Sequence, residues 1–348
     1  MKKISIILSA LLLLACSKQE TPFNGESLLV VNAKIGNPTK AVLLDNDFQA
    51  GNMMGMFIYH ADKTVPLDTF ALYGNRYGNI AGKYQSSGTW LYNFEGASTN
   101  FTDIYLMMPT EKVYRDDRAL KLCAYHPWVK GVTSIASVPF TLGGKSKDLQ
   151  DVMWAVQNGT SENIIIPNTN VLPVALTFNH ALARLKIGFR CAYDNKDSNG
   201  NYIGTTLTLS SISLKKAGST PLYSGGNLNA LTGSVTSDKP VDVLTVDYTD
   251  DNKYSFAYRP SGDYIWADML IFPEPYVADG DYILEFSMNG QTLKTSYPVK
   301  LSDVAGGFLP GHVYTFKFTM DNTVNFTGVS VEVGGPETWE SNYQPLEF

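Results

Sequence analysis

Cysteine appears three times and histidine four times in the 348 residues, and no arginine precedes Arg76. The cysteines form no CxxC pair, and His60, His126, His180 and His312 form no HxxxH or HExxH spacing. Zinc therefore has no ligand pattern to occupy, and no metal or cofactor is expected. Each histidine stands beside strand or turn residues and reads as a core member or a loop-closing hydrogen-bonding group. Charge is scarce too: Asp, Glu, Lys and Arg make up 17% of the chain, too little for a long coiled coil. The balance is −6, so no basic face is available to neutralise phosphates, and nucleic acid is not an expected partner. There is no GxSxG elbow, and Gly143-Gly144-Lys145-Ser146 lacks the spacing of a phosphate-binding loop. Acidic pairs such as Asp116-Asp117 and Asp250-Asp251 adjoin turn formers and read as solvated loop tips. A surface hydrolase would need two convergent carboxylates or a histidine pair in one cleft. Nothing points to either, and the chain is not expected to be an enzyme.

Long apolar runs and helical periodicity are also missing. After residue 14 nothing approaches the ~18 uncharged apolar residues of a membrane-spanning helix, and no segment keeps a 3.6-residue period through three turns. Glycine (29), tyrosine (20) and phenylalanine (17) are plentiful instead, and they fall in alternating text. Ala183, Leu185, Ile187, Phe189, Cys191 and Tyr193 alternate with Arg184, Lys186, Gly188 and Arg190, which predicts a strand with one buried and one wet face. Tyr254-Phe256-Tyr258, Tyr282-Leu284-Phe286-Met288 and Tyr314-Phe316-Phe318-Met320 repeat the pattern. Leu207-Leu209 and Ile212-Leu214 slip phase across Ser210-Ser211, the mark of a β-bulge. Met53–Tyr59, Ile104–Met108, Val152–Val156 and Val174–Phe178 read as more deeply buried strands, and Asn289-Gly290 as a hairpin turn. Short helical turns fit only around Asp148–Gln150 and Asp303–Ala305. The length is a prior for two domains. The reading is all-β: two β-sandwiches, 27–177 and 178–348, with the boundary in or just after Pro167–Pro173.

Cys123 and Cys191 lie in strand-like segments of different domains and read as buried free thiols, with a disulfide as the alternative. Asp194, Asn195, Asp197, Asn199 and Gly200 have the flavour of a calcium loop. Thr205 stands where its twelfth-position Glu belongs, so a plain hairpin loop is preferred.

The third cysteine is different. Lys2 and Lys3 precede an apolar run, Ile4–Leu14, of secretory-signal length, which ends in Ala15-Cys16 and polar residues. This resembles the bacterial lipobox. The resemblance implies a lipoprotein signal peptide at 1–15, diacylglycerol on Cys16 and a lipidated tether at 16–26. The acyl chains would hold the protein to a membrane by about 0.8 kcal/mol per buried CH₂.

Two short amphipathic strands stand at opposite ends. Leu29, Val31, Ala33 and Ile35 share one face of Leu28–Ile35; Val329, Val331 and Val333 alternate with Ser330 and Glu332. Their side chains are similar enough in size to occupy one groove. Between the first strand and the next comes Gly36-Asn37-Pro38-Thr39-Lys40-Ala41, an exposed-loop sequence that a trypsin-like protease could cut after Lys40. Loss of the first strand would open a groove of unpaired backbone, which a neighbour's terminal strand could refill.

Several motifs, in order along the chain, carry a resemblance to the fimbrillin family, the type V pilus subunits of Gram-negative anaerobes. They are the lipobox at Cys16, Thr39-Lys40-Ala41, Phe48–Gly51 with Met54–Phe57, Ala124-Tyr125-His126-Pro127-Trp128, Asp151-Val152-Met153-Trp154-Ala155, Phe178–Leu185, Leu309–Phe318 and Trp339. The resemblance implies two tandem transthyretin-like, Greek-key β-sandwiches. It implies export to the outer membrane and cell surface, partnership with other fimbrial subunits, and a role in adhesion or biofilm. By position, Lys40–Ala41 matches the cleavage point, Leu28–Ile35 the displaced strand, and Val329–Val333 part of the donor. The family's best-known processing follows arginine, so here a protease accepting lysine acts, or the strand stays and the subunit is an anchor.

An alternative of another class is a surface glycan-binding lipoprotein, with Trp90, Trp128, Trp266 and Trp339 as sugar platforms. A coplanar, solvent-facing aromatic pair would favour it, and burial the pilin.

Overall fold

The computed structural model describes residues 26–35, 48–60, 78–93, 105–107, 120–157, 171–191, 198–200, 207–217, 221–250, 255–256, 264–274, 278, 281–288, 291–300, 307–320 and 326–334. In chain order the strands begin with β1 (Glu26–Ile35), β2 (Met53–His60), β3 (Ile80–Tyr84), β4 (Trp90–Asn93), β5 (Tyr105–Met107) and β6 (Leu120–His126). Next come β7 (Val138–Thr141), β8 (Gly144–Lys145), β9 (Met153–Gln157), β10 (Val171–His180), β11 (Ala183–Cys191) and β12 (Leu207–Lys216). Then follow β13 (Leu222–Tyr223), β14 (Gly225–Leu228), β15 (Val235–Ser237), β16 (Pro240–Val241), β17 (Val243–Asp247) and β18 (Ser255–Phe256). The last are β19 (Ile265–Ile271), β20 (Tyr282–Met288), β21 (Gln291–Pro298), β22 (Val313–Met320) and β23 (Phe326–Gly334). The fold is nearly all β: among the described residues the helical element is one 3-10 turn, Ser146–Asp148. None of their helices is long and apolar enough to cross a membrane.

An eight-stranded sheet takes the order β4-β3-β2-β6-β9-β10-β1-β5. Its central strands are apolar on both sides, and both sides are buried. One face gathers Val31, Met54, Met56, Ile80, Leu176 and Phe178 around Phe48. From the other, Phe57, Cys123, Tyr125 and Val152 join the core of the chain's second half. Cys123 is a buried free thiol, and burial pushes it well above the ordinary thiol range.

That second core lies between a four-stranded sheet, β19-β11-β22-β23, and the sheet β21-β20-β12-β17-β8. Phe286 of β20 meets Phe189 of β11 and Phe318 of β22, with ring centroids 4.9 Å apart in each case. This is sandwich packing, inner face to inner face. The two halves of the chain also interdigitate. β7 pairs with β14 and β8 with β17, so residues 138–145 belong to sheets built from later strands.

One expectation needs correction. The polar face of β11 is wet only at Arg190: Ala183 through Phe189 are all buried, Arg184 and Lys186 included. That side is covered by side chains of β19, its neighbour in the sheet. Arg184 Nε donates to Asp268 at 2.8 Å, Lys186 sits 4.7 Å from the centre of the Trp266 ring, and that ring covers Gly188. A Cβ at Gly188 would come within 2.7 Å of the indole, so only glycine fits this close approach. Period two marks the polar face but not what covers it.

Candidate assembly site

The ladders of the eight-stranded sheet are antiparallel except one. β1 lies parallel to β10, in register from Leu28 opposite Val171 to Ile35 opposite Phe178, and antiparallel to the short β5 on its other edge. A parallel neighbour demands a crossover connection, so the first strand is threaded into a sheet formed by later ones. The amphipathic pattern orients it. Val31 and Ile35 are buried, Ala33 half-buried, and Asn32 and Lys34 exposed. Each fully buried aliphatic side chain contributes about 1.5–3 kcal/mol. The backbone of Leu29 lies in the strand. Cys16, Lys40 and Ala41 fall outside the described residues.

At the other end β23 is an outer strand, paired antiparallel to β22, with Val329, Val331 and Val333 opposite Phe318, Phe316 and Tyr314. Val331 is half-buried against the core and Ser330 is exposed.

The chain motifs converge where the halves meet. His126 ends β6, His180 ends β10, and both stand opposite Met153 of β9. His180 Nδ1 lies 2.5 Å from Asp151 Oδ2, both side chains being almost wholly buried. His126 donates Nδ1–H to the Met53 carbonyl at 2.8 Å, and burial holds its pKa below the usual histidine value. Tyr125 gives its hydroxyl proton to Asn79, and its ring lies over Gly55; desolvation raises its pKa. From His180 the chain passes through Ala181, whose N–H donates to Val152 O at 2.8 Å, into β11. Leu309–His312 closes over this joint: Gly311 N–H donates to Leu182 O at 2.8 Å, and Arg184 N–H to His312 O at 3.0 Å. Tyr314 braces that loop, donating to Gly307 O at 2.7 Å and accepting from Leu309 N–H at 2.8 Å. Sequence spacing alone could not find this joint, because Asp151 and His180 come together across 29 residues; the motifs Asp151–Ala155 and Phe178–Leu185 were the available signal.

Among the described residues the tryptophans form no coplanar, solvent-facing pair of the kind the glycan-binding alternative asks for. Trp90 is buried beside Phe48, Trp128 is half-buried against the core, and Trp339 lies outside the described residues. Trp266 neighbours Tyr264, but the rings are tilted by 39° rather than coplanar. Of the calcium-like loop, residues 198–200 are described, as a turn.

Fold and strand seat together define a β-sandwich protein organised around strand pairing. A family model described as fimbrillin-like matches residues 39–334, and the chain belongs to that family. The fold is similar to that of a proposed cell adhesion protein from Bacteroides ovatus, at TM-score 0.54 and 14% identity over 91% of this chain and 99% of that one. It is also similar to one from Bacteroides uniformis, at 0.52 and 17% identity over 91% and 100%. No curated protein matches the sequence.

Proposed function

We propose that this fimbrial subunit polymerises by strand removal and donor-strand exchange. A cut between Lys40 and Ala41 releases β1, and β23 of another copy takes its place between β10 and β5. The seat of β1 carries this reading: it is the one parallel strand in its sheet, buried on one face and held by eight residue pairs on β10. Its departure would leave the edge of β10 unpaired, a template that recruits a strand. β23 suits the vacancy. It has nine residues against ten, and its valines repeat the spacing of Val31, Ala33 and Ile35. The family match begins at Thr39, beyond β1, and ends at Gly334, the last residue of β23. Because donor and acceptor surfaces differ, each copy fills one seat and offers one tail, and repetition gives a filament.

In this reading the chain is exported as a lipoprotein held at the outer membrane by acyl groups on Cys16. Its two halves, 27–177 and 178–348, are read as tandem transthyretin-like sandwiches, the first lending residues 138–145 to the sheets of the second, and its partners are other fimbrial subunits. A copy that keeps β1 stays as an anchor.

Trypsin treatment of the folded protein tests this. The expected result is a first cut at Lys40 followed by a ladder of oligomers, abolished by Lys40→Gln. Deletion of residues 329–348 should leave the cut intact and the product monomeric. Oligomers from the tail-deleted chain, or only monomers after clean cleavage at Lys40, would overturn the exchange.

A further inference from the structure

At the end of the sandwich a cavity of about 290 Å³ opens between the ends of β12 and β19 and the short strands β13 and β15. It lies at the lower end of the range of small-molecule sites, the size of one ring rather than an oligomer. Its walls are mostly apolar, with Leu222, Leu244 and Ile271 behind and the rings of Tyr223 and Phe272 meeting at 66°. One linked polar cluster breaks the apolar lining, with exposed Ser237 apart from it. Lys216 Nζ donates to both oxygens of Glu274, at 2.8 and 2.9 Å, and the Tyr282 hydroxyl donates to Glu274 Oε2. Burial, and then the bond to Glu274, raise the Tyr282 pKa, so the phenol keeps its proton.

We propose that this cavity binds a neutral pyranose, with its C–H face against Tyr223, its edge against Phe272, and two adjacent hydroxyls on the Lys216–Glu274 pair. Charge decides against an ionic ligand. Lys216 and Glu274 are the cavity's charged lining residues and cancel each other, so a carboxylate, phosphate or ammonium would lose its hydration without a counter-charge. Hydrogen-bonding capacity favours hydroxyls. An ammonium has three donors, of which Glu274 uses two, and Glu274 Oε1 has accepted one bond of the two it can take. A donor and an acceptor therefore stand side by side, as adjacent sugar hydroxyls require. The site is separate from the β1 seat and does not depend on strand exchange.

The test titrates the full chain with the methyl glycosides of glucose, galactose, mannose and N-acetylglucosamine, with methyl glucuronide, and with cyclohexanol, by calorimetry and saturation-transfer NMR. At least one neutral glycoside should saturate with a millimolar constant, the glucuronide should bind about tenfold more weakly or worse, and cyclohexanol should not bind. Ser237→Trp, which fills the rim from an exposed position, should abolish binding. Tyr223→Ala should weaken it about tenfold by removing one aromatic wall. A melting curve checks that both variants fold. Failure of every neutral glycoside, equal binding of cyclohexanol, or wild-type affinity in folded Ser237→Trp would overturn the proposal.

Discussion

β1 and β11 hold the same place in two patterns of the same sense. The run β5-β1-β10-β9 pairs antiparallel, parallel, antiparallel, and so does β19-β11-β22-β23; in both, the parallel ladder is eight residue pairs long. Their surroundings differ. β11 is buried on both faces from Ala183 to Phe189 and is flanked by β19 through seven pairs, whereas β1 buries one face and has only the three pairs of β5 beyond it. Equal parallel ladders thus coexist with unequal pairing on the other edge and unequal side-chain anchoring. One strand is integral to its core, and the other is seated by one face only, as the proposed strand removal requires.

The largest effect should come from the joint between the two patterns. Asp151→Ala takes the carboxylate from His180 at the end of β10, and breaking a buried pair in this way costs about 3–5 kcal/mol. Urea unfolding of the variant should show that loss; an unchanged midpoint would mean that the pair does not hold the halves together. Next comes the contrast itself. Ile187→Ala in β11 should cost about 2–5 kcal/mol, against about 1.6 kcal/mol for Val31→Ala in β1, two methyl groups at about 0.8 kcal/mol each. Equal losses would erase the distinction between an integral and a seated strand.

Much of this contrast was legible in the sequence, because it depends on local pattern. The alternation of Val31, Ala33 and Ile35 with Asn32 and Lys34 gave the facing of β1. The phase slip at Ser210-Ser211 is a register shift between Leu209 and Ser211 on β20, and Met288 stands opposite Gln291 across the predicted hairpin turn. What required three dimensions was partnership. Arg184, Lys186 and Gly188 look solvent-facing until Trp266 and Asp268 of β19 are laid across them. β7 and β8 read as part of the first half, yet pair with β14 and β17. The cavity is framed by β13 and β15, strands of two and three residues, too short for any periodicity to register.

A smaller effect probes the covered face of β11. Gly188→Ala places a methyl group within 2.7 Å of the Trp266 ring, an overpacking worth about 1–3 kcal/mol. Adding Trp266→Ala should recover part of that loss, a non-additivity expected only if the ring is the obstacle. The matching change on the open side of β1, Asn32→Ala, should stay within about 0.5 kcal/mol of the parent.

The smallest effect separates the two patterns by pH. His126 is buried and accepts a proton less readily than a histidine in the unfolded chain, chiefly through desolvation, which outweighs the bond to the Met53 carbonyl and the pull of Asp151 and is reinforced by His180. A histidine with a lowered folded pKa binds fewer protons in the native state, so stability is full above its unfolded value, about 6.5, and declines as pH falls below it. His126→Asn keeps an N–H for the Met53 carbonyl but does not titrate, so its stability should fall less steeply over that window. Because His126 stands across β9 from the end of β10, acid should speed amide exchange in β10, the host of β1, before it reaches the β11–β22 ladder. Equal acid sensitivity in the two ladders, or an unaltered pH slope in His126→Asn, would place the acid-labile element elsewhere.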